Sequence, residues 1–258
     1  MRKIIRLLLG LAACVVLAYA TMELAGYLKE SSISVEMKQS LILEAVSQKQ
    51  DPTAATETED ETAPTEETAI TAPISVNFDY LTETNPDIIG WLYSEDTPIN
   101  LPVVQSKDND YYLYRMIDGN WNSSGTLFAD CRNARDFTDN NTVIYGHNMK
   151  NKEMFGTLAN YKEQEYYEEH PVMWLLTPKG DYRIELVAGF VTSTTSKVYT
   201  HPLTGDDAYA MAQETMEKST FSADIQLTRG DRFLCLSTCS YEFDNARYVL
   251  VGRLNALT

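Results

Sequence analysis

Residues 50–73 read QDPTAATETEDETAPTEETAITAP, and this run limits where the chain can build a core. Seven of its residues are acidic and none is basic; apart from Ile70, its apolar content is alanine and proline. Such a segment buries too little apolar surface to offset the entropy of ordering it. It reads as an acidic low-complexity linker, expected to hold the C-terminal part of the chain away from the N-terminal part. The 258-residue chain is thereby divided. Residues 74–258 are the stretch long enough for a core of ordinary domain size. A chain starting near Ile74 is expected to be soluble and active on its own.

The part before the linker has a different chemistry. Arg2, Lys3 and Arg6 precede an apolar run from Leu7 to Met22. That run is short of the ~20 residues of a full span, but Ile4, Ile5 and the stretch to Leu28 lengthen it, with Arg6 able to snorkel. Residues 1–28 therefore read as a signal-anchor or transmembrane segment. Ala18-Tyr19-Ala20 also fits a small-x-small cleavage site, which leaves a removed signal as the alternative. The basic flank sets the N-terminus in the cytoplasm and the rest outside the cell membrane. Residues 29–49 place Val35, Leu41, Ile42 and Val46 among charges, an irregular amphipathic helix pattern read as a juxtamembrane spacer: a stalk, a helix on the membrane surface or a partly ordered segment.

The formal net charge is −16, and residues 74–258 alone carry 15 basic and 26 acidic side chains. An acidic surface argues against nucleic acid as a partner. Cys14 lies in the apolar run, whereas Cys131, Cys235 and Cys239 lie beyond it, an odd number that leaves at least one thiol free. Four residues of strand separate Cys235 from Cys239 by roughly 13 Å. A disulfide needs Cα atoms within about 7 Å, so this pair does not bridge. Cys235-x3-Cys239 also lacks a second ligand pair at zinc spacing.

Past residue 74 the chain alternates short apolar runs with turn signals. Strands are predicted at Ile88–Tyr93, Ile99–Val104, Thr126–Ala129, Thr142–Tyr145, Val172–Thr177, Tyr182–Thr192, Phe233–Thr238 and Ala246–Leu254. Short helices are predicted at Met154–Tyr161 and Asp206–Lys218. Many short strands with few helices indicate a mainly β fold, a closed or partly closed barrel.

Three side chains at strand ends form a chemically coherent set. Cys239 ends an apolar run, and its thiolate would be the reactive form. His147 ends the run Val143-Ile144-Tyr145-Gly146 and can move the proton. If the last two strands pair antiparallel, Arg247 falls beside Cys239, where a fixed guanidinium suits an oxyanion. Arg253 shares the strand face of Arg247 but lies about 20 Å away, a structural position. Thr238 either orients the strand end or is an ordinary β-branched strand residue. Cys235 and Cys131 read as buried thiols. His170 and His201 each precede a proline and read as surface residues.

The runs LSTCSYEFDNARYVLVGRL (236–254), TVIYGHNMKNKEMFGTL (142–158) and NPDIIGWLYSEDTPINLPVVQ (85–105) resemble the class B sortases, membrane-anchored cysteine transpeptidases of Gram-positive bacteria. Cys235 departs from the family pattern, which carries Thr at that place. The resemblance implies an eight-stranded sortase-type barrel with an added N-terminal helix and a helix before the penultimate strand; Phe78–Thr84 and Asp206–Lys218 fit these additions. It implies Cys239 as nucleophile, His147 as proton donor and acceptor, Arg247 as the stabiliser of substrate and oxyanion, and Thr238 and Asn148 as supports. It implies a sorting-signal peptide of secreted surface proteins as donor and a peptidoglycan cross-bridge or stem-peptide amine as acceptor, with no cofactor. The alternative within the family is a pilin-polymerising enzyme that joins subunits through a lysine amine. Papain-like peptidases place cysteine before histidine, the reverse of the order here. L,D-transpeptidases set Gly before the cysteine and Arg soon after it, where this chain has Thr238 and a distant Arg247.

Overall fold

A computed structural model describes residues 2–49 and 70–257. Most of the acidic linker, residues 50–69, therefore lies outside the described residues. The chain opens with the long helix α1 (Arg2–Ala45), followed by β1 (Val46–Gln48), β2 (Ile74–Val76) and the short helix α2 (Phe78–Thr84). Then come β3 (Ile88–Tyr93), β4 (Asn100–Val104), β5 (Leu127–Ala129) and β6 (Asn141–Tyr145). The last elements are α3 (Gln164–Glu169), β7 (Val172–Leu176), β8 (Tyr182–Ser193), α4 (Gly205–Glu217), β9 (Arg232–Cys239) and β10 (Ala246–Ala256).

Strands β3 to β10 close into an eight-stranded barrel in the order β10-β8-β7-β3-β4-β5-β6-β9. Closure leaves the barrel no open edge. Side chains alternate across each strand, as a period of two requires. Leu234, Leu236 and Leu250 fill the interior, while Phe233, Cys235, Val249 and Val251 turn outward. The outward set would be exposed without a cover. Ala208, Met211 and Ala212 of α4 supply it, packing over that outer face. Helix α4 starts where expected: the Thr204 hydroxyl accepts from the Asp207 N–H at 3.1 Å, and Asp206 and Asp207 occupy the first turn.

Three expectations change. The helix predicted at Met154–Tyr161 is a tight 3-10 turn at Leu158–Lys162, because Met154 has a positive φ of 52° and bridges back to Asn148. Residues 29–45, whose pattern reads as an irregular amphipathic helix, are the second half of α1 and pack on the barrel instead of forming a free spacer. Their Leu41 and Ala45 are buried with Ala72, Ile74, Trp91 and Val104, in one apolar cluster on the barrel wall. The linker does not set the distance between α1 and the barrel. β1 and β2 pair antiparallel, Gln48 is the register partner of Ile74, and the Lys49 N–H donates to the Pro73 carbonyl at 2.9 Å. Both ends of the acidic segment are thus pinned at one place.

The 44 residues of α1 span about 66 Å at ~1.5 Å per residue, roughly twice the thickness of a bilayer's hydrocarbon core. Its first half is exposed and apolar, long enough to cross a membrane. Its second half carries the barrel.

Candidate active site

Two parallel strands bring the chemistry together. β6 and β9 lie side by side with Tyr145 opposite Ser237, so their C-terminal ends coincide. β10 returns antiparallel to β9 and sets Arg247 directly opposite Cys239. The alternation that turns Val143, Cys235 and Val249 outward also turns His147, Cys239 and Arg247 outward. The three meet in an open groove of about 540 Å³, lined also by Asn109, Leu113 and Tyr145.

Each side chain is held by its neighbours. The β6 end needs Gly146: a Cβ there would stand 2.4 Å from the Leu127 side chain and 2.7 Å from that of Phe155. The Gly146 carbonyl accepts from the buried Thr238 hydroxyl at 2.8 Å, tying the two strand ends together. Asn148 donates to the Cys239 carbonyl at 2.8 Å, a second tie between the same ends. His147 Nε2 lies 2.7 Å from the Leu113 carbonyl. A carbonyl only accepts, so Nε2 carries a hydrogen and Nδ1 is the nitrogen free to exchange a proton. The Tyr114 ring sits 5.5 Å from the imidazole. Arg247 Nη1 donates to the Ala246 carbonyl at 3.0 Å, which fixes one edge of its guanidinium.

Below the groove lies a polar support. The Tyr199 hydroxyl meets that of Ser237 at 2.8 Å, and its ring stacks on Tyr145. Tyr145 donates to Asp130 at 2.9 Å, and Arg132 binds the same carboxylate with two N–H groups at 2.8 and 2.7 Å. Burial alone would raise the Asp130 carboxyl, but hydrogen bonds from Arg132 and Tyr145 outweigh it and hold the group well below the usual range. Burial pushes the Tyr199 phenol up to about 12, so it stays neutral.

The remaining candidates fall elsewhere. Cys235 is fully buried, donates to Asn141 at 3.1 Å, and burial pushes its thiol up to about 12; it is an inert core residue. Cys131 is partly buried and unpaired, outside the groove. His170 caps the end of α3 against the Tyr166 carbonyl at 3.1 Å, and His201 lies 3.3 Å from Asn133. Arg253 binds Glu185 and the Gln226 carbonyl, far down β10. Sequence reasoning missed Leu113, Tyr199 and Asn109. Leu113 acts through its backbone carbonyl, which no residue type signals. Tyr199 sits in a connection that reads as loop.

A β-barrel that presents a cysteine, a histidine and an arginine at the ends of three adjacent strands has the form of a cysteine transpeptidase. No family model matches the chain. Sortase B of Listeria monocytogenes is 34% identical over 177 residues, covering 67% of this chain and 72% of that protein. Sortase B of Staphylococcus aureus is 31% identical over 180 residues, covering 69% and 74%. The solved Staphylococcus aureus sortase B–substrate complex superposes with a TM-score of 0.66 at 29% identity, covering 70% of this chain and 85% of that one. The chain belongs to the class B sortases, and it is a cysteine transpeptidase of that family.

Proposed function

We propose that the groove is the active site, with Cys239 as nucleophile, His147 as the proton donor and acceptor, and Arg247 as the fixed cation. Thr238 and Asn148 act as supports. The convergence of the three side chains on the outer face of β6, β9 and β10 carries this reading. The Cys239 thiolate attacks the carbonyl of a peptide bond in the C-terminal sorting motif of a secreted protein. The carbonyl electrons move to oxygen, and the oxyanion forms beside the Arg247 guanidinium. Imidazolium returns a proton to the departing amine, the C–N bond breaks, and a thioester remains on Cys239. A peptidoglycan amine then attacks the thioester, loses its proton to His147 and releases the thiolate. Both half-reactions use one proton-transfer group, and the chemistry calls for no cofactor.

The anchor orientation follows from charge: Arg2, Lys3 and Arg6 stay in the cytoplasm and the barrel stands outside. Peptide choice falls to the Ser193–Arg229 connection, which leaves β8 beside Arg247 and carries Tyr199 to the groove. The test is mass spectrometry of the enzyme after exposure to sorting peptides without an amine acceptor. The expected product is a substrate-derived acyl group on Cys239, absent in Cys239→Ala and released by stem-peptide amines. An adduct on Cys131, or turnover by Cys239→Ala, would sink the assignment.

A further inference from the structure

The barrel does not hold His147 alone. His147 leads into a hairpin closed by the Asn148–Met154 bridge and by the Phe155 N–H, which donates to the His147 carbonyl at 3.0 Å. Met149, Met154 and Phe155 bury this hairpin in the barrel interior. Its other residues meet α1. Lys38 forms an ion pair with Glu153 at 2.5 Å, and Asn151 donates to the Ser31 hydroxyl at 2.9 Å. The side chains of Lys38 and Glu153 are only 15% and 20% exposed, so the pair is partly shielded from salt.

A second set of α1 contacts holds the turn that binds the same imidazole. The Glu30 carbonyl accepts from Asn122 at 3.0 Å, and its carboxylate accepts from the Ser123 hydroxyl at 2.6 Å. Asn122 is fastened in turn to the Tyr114 carbonyl through its N–H at 3.0 Å. Tyr111–Tyr114 is the turn whose Leu113 carbonyl holds His147 Nε2. Glu30, Ser34, Lys38, Leu41 and Ala45 recur at helical spacing with Ser31 beside them, so one face of α1 makes these contacts.

We propose that the Glu30–Lys38 stretch of α1 is a positioning element for His147, with Lys38 and Glu153 as its positioning residues. It grips both segments that fix the imidazole: the hairpin that carries the ring and the turn that binds Nε2. The same helix continues into the apolar span. Anchor and proton-transfer group are therefore joined by one rigid element rather than by a flexible tether. The inference rests on the pairing of His147 with Cys239 proposed above. Among the described residues, the other titratable and charged groups that line the groove or meet its side chains are Tyr114, Asp130, Tyr145, Tyr199 and Arg247. None of these belongs to α1, and Lys38 meets the hairpin directly through Glu153.

The test uses the full chain in detergent micelles and needs no sorting peptide. The rate of Cys239 alkylation by iodoacetamide is followed across pH, with the adduct located by mass spectrometry. The profiles of the unaltered chain and of His147→Ala are the two references, because alkylation reads the thiolate and His147 is its proposed proton partner. Lys38→Ala and Glu153→Ala should each move the profile from that of the unaltered chain toward that of His147→Ala and slow alkylation at neutral pH severalfold. Lys38→Arg should keep the profile. The reversed pair, Lys38→Glu with Glu153→Lys, should restore it even if a single variant folds poorly. An unchanged profile in folded single variants, or a reversed pair no better than the singles, would overturn the proposal. A His147→Ala chain with the unaltered profile would instead show that the His147–Cys239 pairing itself is wrong.

Discussion

At the scale of single residues, the proposed active site gives two arginines on one strand opposite tasks. Arg247 and Arg253 share the outer face of β10, yet one faces Cys239 and the other faces Phe233. Arg247 keeps most of its fork toward the groove. Lysine there would keep the charge but lose the planar donor set. Arg247→Lys should therefore lose on the order of 10²–10³ in kcat/KM, the usual effect of removing an oxyanion donor, without loss of fold. Arg253→Ala should leave kcat/KM near normal and lower stability instead. Its guanidinium binds Glu185, which Asn255 also holds at 2.9 Å. Burial alone would raise the Glu185 carboxyl, but Arg253 and Asn255 outweigh it and hold it below the ordinary range. A lowered carboxyl gives stability above its unfolded pKa of about 4.3, and that stability is lost as pH falls through the folded value. Losing this charge-assisted bond costs about 2 kcal/mol, or a Tm drop of roughly 4–8 °C near neutral pH. The deficit should shrink below about pH 4, once Glu185 protonates in both proteins. Thermal melts at both pH values, with peptide kinetics, check the pair. A crippled Arg253→Ala beside a near-normal Arg247→Lys would reverse the roles.

At the scale of elements, the strands were legible because a barrel wall packed on one or both faces shows its period in the residue types. Phe233 to Cys239 alternates between outer and inner neighbours along its length, and its end at a cysteine was visible without coordinates. Neighbourhood was less legible. Parallel pairing of β6 with β9 joins residues 92 positions apart, and nothing local in either strand specifies it. The Met154–Tyr161 segment has helical composition, but its backbone is claimed by the hairpin after His147. Gly146 shows how tightly that junction is built. An alanine there meets Leu127 and Phe155 well inside contact distance, so either the strand end or the interior must shift. Overpacking of this kind costs about 1–3 kcal/mol. Gly146→Ala should lower Tm by several degrees. It should also slow Cys239 alkylation at neutral pH, because His147 is the next residue. A stable variant with unaltered thiol reactivity would show that the strand end absorbs the methyl group.

At the scale of the whole molecule, the long apolar N-terminal helix and the barrel are one body, and this was hidden from the sequence by the acidic segment between them. Leu41 and Ala45 read as part of a spacer because their partners, Ile74, Trp91 and Val104, lie far along the chain. Burying one leucine contributes roughly 1.5–3 kcal/mol, so α1 matters to the barrel's stability and not only to its location. A chain beginning at Ile74 exposes that cluster and loses the grip on the His147 hairpin. It should melt at least several degrees below a chain beginning at Glu30 and react more slowly at Cys239. The acidic segment should behave in the opposite way. Its flanks are already held together by the β1–β2 pair, so its length sets no distance between membrane and barrel. Replacing residues 50–69 by a short polar turn removes about two doublings of loop length, which favours folding by about 1 kcal/mol in loop-closure entropy. The shortened full-length protein should melt slightly higher and keep the thiol reactivity of the parent. A loss of Cys239 reactivity on shortening, with α1 intact, would show that the acidic segment does more than connect β1 to β2.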